Sequence, residues 1–343
     1  MVSQNTIQPT ILPRTAVQPK LYGWREELKL AFRTPQALLS ALGLEDRLSE
    51  ALTGPAFPML VPRPFANRMR RGDWDDPLLR QVLPDPDEQQ PSPGFVDDPV
   101  GDKASQQVSG LLHKYHGRVL LVSTGACAVH CRYCFRQAFP YSTEQAGRDD
   151  WAGAVAYIRS RPDISEVILS GGDPLMLDTR RLHALTEQLA DIPSIKRFRI
   201  HTRLPVVLPQ RIDGAFLDWL AALPWSVVMV IHANHAQEFD DSVDRALNDM
   251  RTTRAHLLNQ AVLLHGINDR LEDLVNLMER SLEAGVLPYY LHLLDKVSGA
   301  RRFEQSAETA KMLLHGLRLR LPGYLVPRLV MEKAGEPYKL PVI

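Results

Sequence analysis

From residue 118 onward, short apolar runs rich in β-branched residues alternate with stretches of helical pattern. The apolar runs are RVLLVST (118–124), SEVILSGG (165–172), KRFRIHT (196–202), WSVVMVIHAN (225–234), HLLNQAVLLHG (256–266) and VLPYYLHLLD (286–295). Segments such as LHALTEQLADI and LEDLVNLMERSLEAG lie between them and read as helices. Alternation of this kind predicts right-handed βαβ units on a parallel sheet. The fold class is therefore α/β. Six units suit a partial, TIM-like (β/α)6 barrel, and a doubly wound open sheet less well. Either architecture puts its chemistry at the C-terminal ends of the strands. Polar residues gather there: Cys127, Asp173, Arg203, His232 and Asp295 each stand at or just past the end of a predicted strand.

The chain before residue 118 reads differently. Residues 24–53 form short amphipathic helices broken near Pro35 and Gly43. Residues 75–102 are dense in proline and aspartate and predict a long surface linker. The division expected is 1–102 as a helical region with linker, and 103–343 as the barrel with a C-terminal segment.

Composition narrows the classes. A chain of 343 residues with 45% hydrophobic side chains can bury a sizeable core. Lys and Arg together number 40, as do Asp and Glu, so the formal net charge is zero. That balance gives no reason to expect nucleic acid or an anionic membrane as partner. The first twenty residues contain no apolar leader-like run, and no run approaches the ~20 residues of a membrane span. The reading is a cytoplasmic protein, in which clustered thiols stay reduced and bind metal more often than they pair.

All three cysteines lie in CAVHCRYC, spaced C-x3-C-x2-C after the first strand. Three thiolates can fill three irons of a [4Fe–4S] cube and leave the fourth iron open to a ligand. The alternative is a zinc site completed by His130, His113 or His116, although structural zinc sites favour paired C-x2-C knuckles and only one such pair occurs.

The cysteine spacing, with Tyr133 before the last cysteine, resembles the signature of the radical S-adenosylmethionine enzymes. The resemblance sharpens over LLHKYHGRVLLVSTGACAVHCRYCFRQAFPY, ILSGGDPLMLD, IHTRLPVVLPQRI, LLNQAVLLHGIND, PYYLHLLDKVSGARRF and AGEPYKLP. This ordered set is similar to the lysine 2,3-aminomutase family, in particular its short bacterial branch, which serves the modification of elongation factor P.

The resemblance implies a radical S-adenosylmethionine barrel whose cofactors are a [4Fe–4S] cluster on Cys127, Cys131 and Cys134, S-adenosyl-L-methionine, and pyridoxal 5′-phosphate. Lys339 matches the lysine that carries pyridoxal phosphate, although Glu336, Pro337 and Tyr338 interrupt the family's glycine run. Taken alone, a lysine four residues from the chain end would be a solvated tail residue. Arg118 and Gln260 match positions near the cofactor phosphate. Ser170, Gly171, Gly172 and Asp173 match the turn that receives the amino group of S-adenosylmethionine, and His232 a position in the same pocket. Arg136 matches the clamp on the substrate α-carboxylate, while Asp295 and Glu332 match the two acids that receive the ε-ammonium. A family member would be an isomerase that turns L-lysine into β-lysine, draws electrons from a flavodoxin- or ferredoxin-type donor, and supplies a ligase acting on elongation factor P. Two rivals stand beside this reading: an aminomutase acting on α-lysyl-elongation factor P, and a non-catalytic zinc-binding interaction protein. Longer members build a zinc site from cysteines that this chain lacks, so no zinc is expected.

Overall fold

The computed structural model describes residues 23–141 and 151–343; the N-terminal stretch read above for a leader lies outside them. The chain opens with helices α1 (Trp24–Lys29), α2 (Pro35–Leu42), α3 (Arg63–Ala66) and α4 (Pro77–Val82). Strands β1 (Gln106–Val108) and β2 (Leu111–Tyr115) form an antiparallel hairpin. β2 pairs antiparallel with β3 (Arg118–Thr124). Next come α5 (Ala152–Arg159), β4 (Glu166–Gly171), α6 (Thr179–Ala190), β5 (Arg197–Thr202), α7 (Leu204–Val207), α8 (Gly214–Ala222) and β6 (Ser226–Ile231). The chain closes with α9 (Asp241–Thr252), β7 (His256–Val262), α10 (Leu271–Glu283), β8 (Leu287–His292), α11 (Ala307–Arg320), β9 (Arg328–Met331) and β10 (Leu340–Pro341).

Strand order in the sheet follows the chain from β1 to β10, and pairing is parallel from β3 through β9. Sequential parallel order with helical crossovers is that of a barrel left open between its edge strands. The six expected strands are β3 to β8, so the expected partial (β/α)6 barrel is the observed core. The hairpin β1–β2 and the pair β9–β10 extend it on either side.

The barrel is apolar outside and polar inside. In β5, Phe198 and Ile200 are fully buried toward the helices, while Arg199 and His201 face the lumen. The helices meet the outer face with matching stripes, such as Leu182, Leu185 and Leu189 of α6 and Val243, Leu247 and Met250 of α9. Period-two alternation lets one strand serve both surfaces.

The expected surface linker differs from what forms. Within 75–102, α4 buries Leu78, Leu79 and Val82 completely. Asp76 caps this helix by accepting from the backbone N–H of Leu78 and Leu79, and Pro77 stands at its first position. An Asp–Pro pair is thus a helix start as readily as a turn. One continuous apolar core runs from Phe32 through α4 to Val342.

The same region grips the cysteine loop. The backbone N–H groups of His130 and Arg132 donate to the carbonyls of Leu60 and Gln81, both at 2.9 Å. Arg132, buried, donates through Nη1 to the Phe57 carbonyl at 2.9 Å and pairs with Glu88.

Candidate active site

Every residue that the resemblance assigns to a cofactor or to the substrate lines one cavity of about 470 Å³ inside the barrel. The cysteine loop closes one side of it, and the inward residues of β3, β5, β7 and β8 form its walls.

Strand-end turns set the cysteine side. The N–H groups of Gly172 and Asp173 donate to the carbonyls of Thr124 and Ala126 at 2.7 and 2.8 Å. A Cβ on Gly172 would stand 2.5 Å from the Ala126 carbonyl oxygen, and Gly171 has φ +112°. These glycines therefore let β4 seat directly on the cysteine loop, and both also line the cavity. Asp173 is also committed to the fold. Its Oδ1 accepts from Thr202 Oγ1 and Leu175 N, and its Oδ2 from Arg203 N and Leu204 N. Burial pushes this carboxyl up to about 6 against the pull of those bonds.

Cys127, Cys131 and Cys134 all open onto the cavity. Burial pushes the thiols of Cys127 and Cys134 up, the latter to about 11, and the neighbouring thiols add to the shift. Anionic sulfur there needs a compensating positive centre, which bound iron supplies. Among the described residues, no three His, Cys, Asp or Glu side chains are grouped to share a single metal ion. Two histidines of the zinc alternative, His130 and His113, are engaged elsewhere. His130 Nδ1 lies 2.8 Å from the Pro58 carbonyl and its ring stacks on Phe57; His113 pairs with the Tyr157 hydroxyl at 3.0 Å. β6 ends before His232, and His235 accepts from the N–H of Gln237.

On the lumen side, Lys339 precedes β10, whose Leu340 pairs with Met331 of β9. That antiparallel register sets Lys339 across from Glu332, and the two form an ion pair. A residue that looks like solvated tail is thereby pinned in the cavity wall. Lys114 of β2 reaches the other oxygen of Glu332 at 3.0 Å and Asp102 at 2.7 Å. Asp102 in turn receives Arg136 Nε at 2.7 Å, and Arg136 Nη1 donates to Ser170 Oγ at 3.1 Å. Positive and negative groups thus alternate from Arg136 through Asp102, Lys114 and Glu332 to Lys339. Burial would raise the Glu332 carboxyl, but Lys339 and Lys114 hold it down at about 2. Asp295 goes the other way: burial first, then Glu332, push it up to about 7.

Three imidazoles, the half-buried His201 and His232 and the buried His292, line the same space. Burial lowers all three, His232 to about 4, so they are neutral at neutral pH. His201 Nδ1 and His232 Nε2 are 3.4 Å apart. Arg118 Nε, Gln260 Oε1 and His292 Nε2 are buried without a hydrogen-bond partner among the described residues. Buried polar atoms are rarely left unpaired, and such a set suits a polar ligand such as a phosphate or ring nitrogen. A half-turn of the Gln260 amide exchanges acceptor for donor. Asp102, Lys114, Arg199, His201 and His292 were not singled out from the sequence. The signal for Arg199 and His201 was the alternation in RFRIHT, which places polar residues on one strand face.

No protein-family model matches the chain. L-lysine 2,3-aminomutase of Escherichia coli (strain K12) is 44% identical over 328 residues, covering 94% of this chain and 95% of the relative. L-lysine 2,3-aminomutase of Haemophilus influenzae is 43% identical over 331 residues, with 96% and 98% covered. Among solved structures, a radical SAM methyltransferase from Sphaerobacter thermophilus aligns over 64% of this chain and 68% of its own, at 17% identity and a TM-score of 0.44.

Proposed function

Because the chain belongs to the L-lysine 2,3-aminomutase family and is an isomerase, we propose that it moves the α-amino group of free L-lysine to Cβ, giving β-lysine. The observation that carries this reading is the joint placement, in one cavity, of three cysteines on one side and Lys339 with two acids on the other. When bound, the cluster with S-adenosyl-L-methionine supplies a carbon radical able to take hydrogen from Cβ, and pyridoxal 5′-phosphate supplies a conjugated system through which nitrogen can migrate.

The protein's own residues do the rest. Cys127, Cys131 and Cys134 would hold the cluster. Lys339 would hold pyridoxal phosphate, and Glu332 keeps its side chain in place at the cavity wall. Arg118 and Gln260 offer unpaired polar atoms to the phosphate. Arg136 offers guanidinium N–H groups to the α-carboxylate, a geometry that favours a planar anion. Asp295 and Glu332 would receive the ε-ammonium, both lining the cavity with negative charge available. His232 and the turn from Ser170 to Asp173 face S-adenosylmethionine. The barrel wall and cysteine loop exclude bulk water, which protects a radical from side reactions. The electron comes from a flavodoxin- or ferredoxin-type donor in the cytoplasm. β-Lysine then passes to a separate ligase that modifies elongation factor P.

The test uses reconstituted, reduced protein with S-adenosylmethionine and either free lysine or lysylated elongation factor P. β-Lysine should form from the free amino acid, and Arg136→Ala should lose most of that activity. Conversion of the lysylated factor alone would overturn the assignment of free lysine. Borohydride reduction and peptide mapping should place a pyridoxyl mass on Lys339; label on Lys333 instead would displace the cofactor assignment.

A further inference from the structure

Behind the cysteine loop lies a buried polar cluster that the proposed reaction leaves unused. Arg203, just past β5, is 7% exposed. Its Nη1 donates to Cys131 Sγ at 2.6 Å and to the Tyr133 hydroxyl at 2.8 Å. Its Nη2 donates to Gln81 Oε1 at 2.6 Å and Glu238 Oε2 at 3.0 Å. Glu238 is fully buried, and its Oε1 accepts from Gln81 Nε2 and from the N–H groups of Asn234 and His235. Asn234 Nδ2 completes the cluster on Gln81 Oε1 and the Tyr133 hydroxyl. Four pieces of chain converge: α4, the cysteine loop, the end of β5 and the segment after β6.

Stability is a weak reason for this arrangement. A buried ion pair repays its desolvation poorly, and apolar side chains would join the same four segments as well. What they could not provide is an N–H donor and a permanent positive charge at the sulfur of Cys131. Hydrogen bonds to a ligand sulfur and nearby charge are established levers on the potential of an iron–sulfur cluster. Both act in the same sense here, stabilising the more negative, reduced state. Glu238 opposes them in part.

We propose that Arg203 is a positioning residue that raises the reduction potential of the cluster through Cys131 Sγ, with Glu238 tempering its charge. This rests on the reading that the three cysteines hold a cluster. The step concerned is a one-electron reduction: the flavodoxin- or ferredoxin-type donor loses one electron and the cluster gains it. No bond to Arg203 forms or breaks, and no proton moves. The added negative charge spreads over the cluster sulfurs and the cysteine ligands, where the guanidinium stabilises it.

The test is a potentiometric titration of the reconstituted protein, followed by electron paramagnetic resonance, after iron and sulfide have been counted in each variant. Arg203→Gln should lower the midpoint potential and Glu238→Gln should raise it, whereas Arg203→Lys should fall between Arg203→Gln and the unmodified protein. Opposite signs are not what a merely structural role produces. A midpoint unchanged in Arg203→Gln at full iron content overturns the proposal. Should Arg203→Gln fail to hold iron, Glu238→Gln decides: a midpoint that stays or falls overturns it equally. If the unmodified protein binds no cluster, it is the proposed function that fails.

Discussion

Asp295 is a carboxyl held close to neutrality by its surroundings. Burial and the charge of Glu332 push it up to about 7, against the pull of Lys339 and Lys114. On the proposed function, an arriving ε-ammonium reverses that balance, since opposite charge at short range favours the ionised form. Substrate and proton therefore compete for the same group. As pH falls below about 7 the protonated fraction grows and binding weakens. We expect kcat/KM for lysine to decline on the acid side of about pH 7, with kcat at saturation less affected. Asp295→Asn should lose this limb and raise KM roughly 10- to 100-fold, the worth of one hydrogen bond to a charged group. An acid limb unchanged in Asp295→Asn assigns the proton to another residue. Glu332 does not share this behaviour, because two lysines already hold it ionised.

Elements place these residues, and the β4 turn shows how tightly. A methyl group on Gly172 would meet the Ala126 carbonyl and the Gly125 carbonyl carbon at 2.5 and 2.9 Å, so the cysteine loop would have to shift. Overpacking of this sort costs about 1–3 kcal/mol. Gly172→Ala is expected to bind less iron on reconstitution, with a lower thermal midpoint. Gly214→Ala, where no atom lies within 4 Å of the added carbon, serves as the control. Equal iron content in both variants would remove the turn from any role in seating the cluster. The β9–β10 pair is the second positioning element. Its register alone turns Lys339 inward, opposite Glu332. Glu332→Gln removes that partner and should lower the yield of pyridoxyl label at Lys339 in the borohydride experiment. An unchanged yield would show that the hairpin holds the lysine without the ion pair.

Across the whole molecule, imidazoles set the acid response. His201, His232 and His292 are held below their ordinary range by burial, so the folded protein binds fewer protons than the unfolded chain. Their contribution is complete above about pH 6.5 and is lost as pH falls toward 4. His130 and His235 act in the same direction. Asp173 and Asp295 have raised values and act oppositely, adding stability on acidification below about 6 and about 7. The histidines outnumber the two carboxyls. The cofactor-free protein should therefore lose stability between pH 6.5 and 5, by about 1.4 kcal/mol per pH unit for each unbalanced proton. Thermal midpoints across this range are the measurement, and His292→Gln should flatten the slope. A midpoint that rises steadily from pH 6.5 to 5 would mean that the carboxyls dominate.

Local order was legible in the chain itself. The six parallel strands, the helix breaks at Pro35 and Gly43, and the cysteine loop after β3 all follow from periodicity, capping residues and spacing. These signals are carried by neighbours in sequence. The chain also narrows its chemistry, because three cysteines confined to eight residues suit few uses besides binding metal. What it could not show is what depends on distant segments. α4 read as linker because Pro and Asp mark turns and helix starts alike, and only burial against the core distinguishes them. That Gly171 and Gly172 also pack against the cysteine loop, some 45 residues earlier, could not be read from their neighbours in sequence. Lys339 read as tail until β10 found β9. The polar lumen, with Arg199, His201 and His292 turned inward, follows from barrel closure. An alternating strand gives both of its faces a role, and only the tertiary structure decides which face becomes the inside.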